Sequence, residues 1–203
     1  ARDLKSLGSD TVPVRSRSAA WNQSPGSPTA VWAFLHQKGE AMSKIQSSRK
    51  TQLFVLGALL GAAVFLLVYG IAPLDVANDA FCRGGYVEKD IQQHYAGWLF
   101  YRDSTLRWPL GVSPAVNAPS GVSVAYTDSI PLLAVLCRPL AALCGSTFQY
   151  FGWFTFFCFL LQGGFGALLC GLFAAGTAAP LAGALLFAAS PILIERAFRH
   201  TSL

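Results

Sequence analysis

A run of twenty uncharged residues, Leu53–Ala72, follows the basic pair Arg49-Lys50. At about 1.5 Å per residue such a run crosses a bilayer core of roughly 30 Å. Basic flanks stay on the cytoplasmic side, so the N-terminus is expected in the cytoplasm and the next segment outside. That segment, Pro73–Asp128, spans 56 residues, is rich in aromatics and carries six acids. More apolar sequence follows it. The chain therefore reads as a multi-spanning, all-α integral membrane protein whose first large loop is extracytoplasmic, with chemistry or recognition placed at the outer surface.

Composition agrees. Of 203 residues, 53 % are hydrophobic and 12 % charged, about half the usual charged share. No charge falls between Arg138 and Glu195, a stretch too long for one buried helix. The net charge of +5 belongs to residues 1–50, where eight Lys and Arg face only Asp3, Asp10 and Glu40. The basic excess is thus an orientation signal. Nucleic-acid binding needs basic residues clustered on a folded surface, and the remainder of the chain is charge-balanced.

Residues 1–50 form a separate segment. Up to residue 41 they are rich in Ser, Pro, Gly and charge and lack apolar periodicity, so they are expected to be disordered. The single methionine, Met42, precedes Ser43-Lys44 and the first apolar run. Met42 is read as the start, with residues 1–41 as upstream translation; a cytoplasmic tail is the alternative. A cleaved signal peptide fits less well, because the apolar core exceeds the roughly 7–15 residues of such peptides. Spans are expected at 53–72, 148–173 and 180–194. Segment 129–144 holds Arg138, Pro131 and Pro139 and is read as a short or juxtamembrane helix. Three or four spans are few for a polytopic enzyme. The chain is therefore read as the N-terminal part of a longer protein, inactive by itself.

Within the loop, Asp90 opens a helix expected to run to about Arg102. Ile91, Tyr95, Trp98 and Leu99 form an apolar stripe at helical spacing, and Asp90, His94 and Tyr101 are read as a group on that helix. The pattern predicts an amphipathic helix lying on the membrane surface. Asp90 with His94 suits a general base, or a site for a divalent metal such as Mg or Mn with Asp90 as ligand. The plain alternative is an N-cap and a solvated histidine. Asp128, in Tyr126-Thr127-Asp128-Ser129, stands where the chain rejoins the membrane; its plain alternative is again a cap. Arg196, Arg199 and His200 suit a phosphate or mark the cytoplasmic side. Arg138 is costly in apolar sequence unless paired. Of five cysteines, Cys82 alone lies in the loop, with no local partner to suggest a disulfide.

Five motifs carry a resemblance: Asp90-Ile-Gln-Gln-His-Tyr-Ala-Gly-Trp-Leu-Phe-Tyr-Arg102, Trp108-Pro-Leu-Gly111, Tyr126-Thr-Asp-Ser-Ile-Pro-Leu132, Phe148-Gln-Tyr-Phe-Gly152 and Arg199-His-Thr-Ser-Leu203. Over residues 50–203 the chain resembles a bacterial domain-of-unknown-function family, number 6311, which is similar to the GT-C polytopic membrane glycosyltransferases. The resemblance implies a plasma-membrane protein that transfers a sugar from a lipid-phosphate donor at the extracytoplasmic face. It implies Asp90, His94 and Asp128 as catalytic residues, with Asp90 as acceptor-activating base or metal ligand. It also implies Arg102, Arg199 and His200 as donor-binding residues. The bilayer and the lipid-linked donor would be the partners, with no nucleic acid. A transporter or flippase subunit is the rival; it predicts ionisable groups inside the spans. A non-catalytic membrane scaffold is the third reading; it would tolerate loss of these acids.

Overall fold

The computed structural model describes residues 28–84 and 90–199. The protein is mostly helical, with three helices long and apolar enough to cross a membrane: Val31–Tyr69, Phe151–Gly171 and Ala178–Arg196. Contacts divide the chain into two units, Ala1–Arg49 and Lys50–Leu203. In the first unit, residues 1–27 lie outside the described residues. Helix α1, Pro28–Tyr69, begins well upstream of the expected boundary at residue 50. Its side chains between Val31 and Ser48 are exposed wherever described, so local helical bonding rather than packing accounts for that portion.

In the second unit, α1 runs against α5, Phe151–Gly171. Gly57 and Gly163 face one another, and a methyl group on either would land on the other's carbonyl. Small residues four apart let two backbones approach this closely. Leu53 lies beside Gly171, Gly61 beside the Phe159 carbonyl, and Phe65 stacks edge-on with Phe156 at 5.4 Å. Rising numbers on one helix meet falling numbers on the other, so the pair is antiparallel. The end of α1 and the start of α5 therefore share one end of the bundle. Gly70, at φ +70°, stops α1 in the left-handed conformation that glycine adopts at no steric cost.

Helix α6, Ala178–Ala188, returns antiparallel along α5, with Gly183 on Cys170 and Phe187 on Gly166. A break at Ser190 precedes α7, Pro191–Arg196. The chain thereby comes back to the end where α1 stops. Tyr69 donates its hydroxyl to the Ile194 carbonyl at 2.5 Å, and Phe198 packs on Tyr69 and Phe81 with centroids 4.9 and 5.0 Å apart.

Between α1 and α5 the chain folds a module of its own. It contains α2, Ala80–Arg83; α3, Asp90–Asp103; a two-stranded ribbon of β1, Val112–Ser113, and β2, Val122–Ser123; and α4, Pro131–Cys144. The strands are antiparallel, with Val112 opposite Ser123. Helix α3 is the centre of the module. Ile91, Tyr95, Trp98 and Tyr101 are buried with Cys82, Val124, Ala134, Phe148, Tyr150 and Phe151, each large side chain worth about 1.5–3 kcal/mol on burial.

This corrects the expectation that α3 lies on a membrane surface. Its apolar stripe has a protein partner, because residues 104–150 fold back over it. His94 and Tyr101 share the buried face with Ile91, Tyr95 and Trp98, as successive steps of about 100° dictate. The exposed apolar stripe belongs instead to α4. Ala134 and Ala141 face the module core, while Leu132, Leu136, Leu140 and Leu143 are 47–83 % exposed. At fourteen residues, α4 is about 21 Å long.

Candidate functional site

Polar groups fasten the module at two junctions, one to the bundle and one within the module itself. At the first, the fully buried Gln149 joins the chain leaving α1 to the start of α5. Its Nε2 donates to the carbonyls of Pro73 at 2.9 Å and Asp75 at 3.0 Å, and its Oε1 accepts from the Gly152 N–H at 2.9 Å. Its own N–H donates to the Val76 carbonyl at 2.9 Å. Trp98 Nε1 donates to the Phe148 carbonyl at 3.0 Å and Trp153 Nε1 to that of Leu74 at 2.9 Å. Buried amide groups must be paired or costly, and this residue pairs them in one step.

At the second junction, Ser129 pins the segment entering α4 onto α3. Its hydroxyl donates to the His94 carbonyl at 2.6 Å and meets the Thr127 hydroxyl at 2.7 Å; its carbonyl accepts from the Tyr150 hydroxyl. Gly97 permits the approach, since a methyl there would strike Thr127 and Ser129. On either side of Ser129 the backbone is left-handed at residues other than glycine, Asp128 at φ +51° and Ile130 at φ +52°. Such residues cost on the order of 1–3 kcal/mol and persist where their surroundings over-determine them. The result is an exposed Asp128 carboxylate held on a rigid frame.

A third cluster was not anticipated. Asp79, 8 % exposed, accepts at Oδ2 from the Tyr95 hydroxyl at 2.6 Å and from Arg83 Nε at 2.6 Å. Burial pushes the Asp79 carboxyl up, but the Tyr95 and Arg83 hydrogen bonds and the Arg83 charge outweigh it and hold the group below its ordinary value. Burial, then the bond to Asp79, raises the Tyr95 hydroxyl well above a normal phenol. The same burial, with the Asp79 charge beside it, raises the Cys82 thiol. Cys82 is therefore an inert, fully buried free thiol. One signal for this cluster was legible, the i, i+4 spacing of Asp79 and Arg83; Tyr95 lies sixteen residues away.

The expected site residues separate into groups. The segments that carry His94 and Asp128 are joined through Ser129, whose hydroxyl bonds the His94 main-chain carbonyl. Asp90 is the first residue of α3, exposed, about 6 Å along the axis from His94. His94 is buried, not solvated. Arg102 stands at the other end of α3, about 12 Å beyond His94. It is held by Asp103 through Nε–Oδ1 at 2.7 Å and Nη2–Oδ2 at 3.0 Å, and it donates to the Ser146 carbonyl at 2.6 Å. Its bonds are those of a brace between α3 and the end of α4. Arg199 is exposed, 3.3 Å from Glu195, and Phe198 ties it to the module's end of the bundle. His200 lies outside the described residues.

Among the described residues no three His, Cys, Asp or Glu side chains converge as metal donors.

A family model described as a domain of unknown function (DUF6311) matches residues 58–203, most of the chain. No curated protein and no solved structure matches it.

Proposed function

The chain belongs to the DUF6311 family of domains of unknown function, and from that premise we propose that it is a GT-C-like membrane glycosyltransferase acting on a lipid-phosphate-linked sugar. In this reading α1, α5 and α6 with α7 cross the plasma membrane of a bacterium, the N-terminus is cytoplasmic, and the module faces outward. The observation that carries the proposal is the shared end. Support comes from the ends of the helices: α1 stops, α5 starts and the chain leaving α7 returns at one end of the bundle, the end to which the loop module is attached and where Phe198, next to Arg199, packs on Tyr69 and Phe81. Helix α4, too short to cross, lies in the outer leaflet on its leucine stripe. The rival transporter reading loses support because α5 and α6 hold no ionisable side chain other than cysteine.

The chemistry follows from the groups present. Asp128 accepts the proton of the acceptor hydroxyl. The hydroxyl oxygen bonds to the anomeric carbon as that carbon's bond to the lipid phosphate breaks, and the electron pair leaves with the phosphate. Arg199 exchanges Glu195 for the departing phosphate, as a guanidinium fork suits either anion. His94 holds the strained Asp128 segment through its carbonyl.

The test is sugar transfer by the full-length protein in liposomes, using a panel of polyprenyl-phosphate sugars. Asp128→Asn is expected to lower turnover by about a hundredfold or more, the usual worth of a general base, with an unchanged melting temperature. Equal turnover in the variant, or no transfer from any donor, would refute the proposal.

A further inference from the structure

Arg138 is the one charged residue of α4, and its charge is not cancelled. Its Nη2 donates to the Ser104 carbonyl, capping the chain just past α3, and its guanidinium carbon sits 4.8 Å over the Tyr101 ring. Its Nη1 is buried without a hydrogen-bond partner, as is the Tyr101 hydroxyl. Among the described residues no carboxylate pairs with Arg138. The contrast with Arg102 is instructive, since its charge is matched by Asp103.

Both arginines line a cleft of ≈ 410 Å³ between the C-terminal ends of α3 and α4, together with Asp103, Ala142 and Ser146. One carboxylate against two guanidiniums leaves the cleft with one net positive charge. The last turn of α4 also lines the cleft, at Ala141, Ala142 and Gly145, so its carbonyls temper this charge without matching it, a helix end carrying only about half a unit charge. Buried orphan donors in a native fold call for an explanation, and a bound ion is one of few available. A half-buried cation without a counter-ion is likewise unfavourable.

We propose that this cleft binds a phosphate group, carried by a membrane lipid or free in solution, with Arg138 as its charge partner. A guanidinium offers the flat fork that phosphate oxygens accept in pairs. The leucine stripe of α4 supports the lipid source, since it sets the cleft at head-group depth if α4 lies in the leaflet. The proposal needs no sugar transfer and is tested by binding alone.

Two binding arms use the full-length protein. In detergent, inorganic phosphate is titrated by calorimetry. In nanodiscs of phosphatidylcholine with phosphatidic acid, retained lipid is read by native mass spectrometry. Arg138→Gln removes the charge. Ala142→Glu, exposed and one turn along α4, supplies an internal carboxylate and keeps the fold testable if Arg138→Gln fails to fold. Each variant is expected to weaken binding about tenfold or more, the worth of one charge-assisted bond, while Ala142→Glu holds or raises the melting temperature. Binding of free phosphate in an Arg138-dependent manner supports a small-anion ligand. Retention of phosphatidic acid alone supports a lipid head group. Equal affinity of wild type and Ala142→Glu, or no binding in either arm, overturns the proposal.

Discussion

Gly152→Ala is expected to destabilise the protein by about 3 kcal/mol, the upper part of the range for overpacking a filled site. The added methyl would land on the Pro73 carbonyl, and its neighbours are backbone and ring atoms with no flexible end to swing aside. The position also lies beside the Gln149 junction, so any shift that relieves the clash stretches the bonds joining module to bundle. Thermal melting in detergent measures it. Gly39→Ala is the control: Gly39 is helical and nothing lies within 4 Å of the new methyl. It should be neutral or stabilising by up to ~1 kcal/mol. Equal melting of wild type and Gly152→Ala would mean that the Pro73–Gly152 approach is looser than described.

Gln149→Leu should be comparably damaging for a different reason. Volume is nearly kept, so packing changes little. The Pro73 carbonyl and the Gly152 N–H lose a buried partner, and the Asp75 carbonyl a partly buried one. Each orphaned group costs about 1–3 kcal/mol, giving a total of about 3 kcal/mol or more if no water enters. Chemical denaturation of the purified protein reads this as a lowered midpoint with an unchanged slope. A loss below about 1 kcal/mol would show that water replaces the side chain and that the junction tolerates it.

The long helices were legible because a run of apolar residues declares itself by length. Even there the ends moved. Phe148–Tyr150 were expected inside a span, yet α5 starts at Phe151, because Gln149 and its neighbours turn sideways to bond α1's exit and α3. The span expected at 180–194 is interrupted after Ala188 and restarts at Pro191, where Ser190-Pro191 was the visible signal. Helix α3 was legible to within a residue. Its partner was not, since Ile91, Tyr95 and Trp98 form the same stripe whether it faces lipid or protein. The two-residue strands are too short to show any period. Asp79 escaped notice because burial, which makes it unusual, depends on Tyr95 and on the fold-back of the loop. His94 and Asp128 were singled out separately; the link between their segments is the Ser129 hydroxyl on the His94 carbonyl, a bond that no spacing announces.

The central claim is that the module and the Arg199 end share one face of the membrane. A cysteine-free, full-length version carrying Asp90→Cys, Asp128→Cys, Arg199→Cys or Lys44→Cys, one at a time, tests it with a membrane-impermeant thiol reagent on intact cells. The account predicts labelling at positions 90, 128 and 199, and at position 44 only after permeabilisation. Labelling at 90 with protection at 199 until the cells are opened would make α4 a true crossing and would remove Arg199 from any site shared with Asp128.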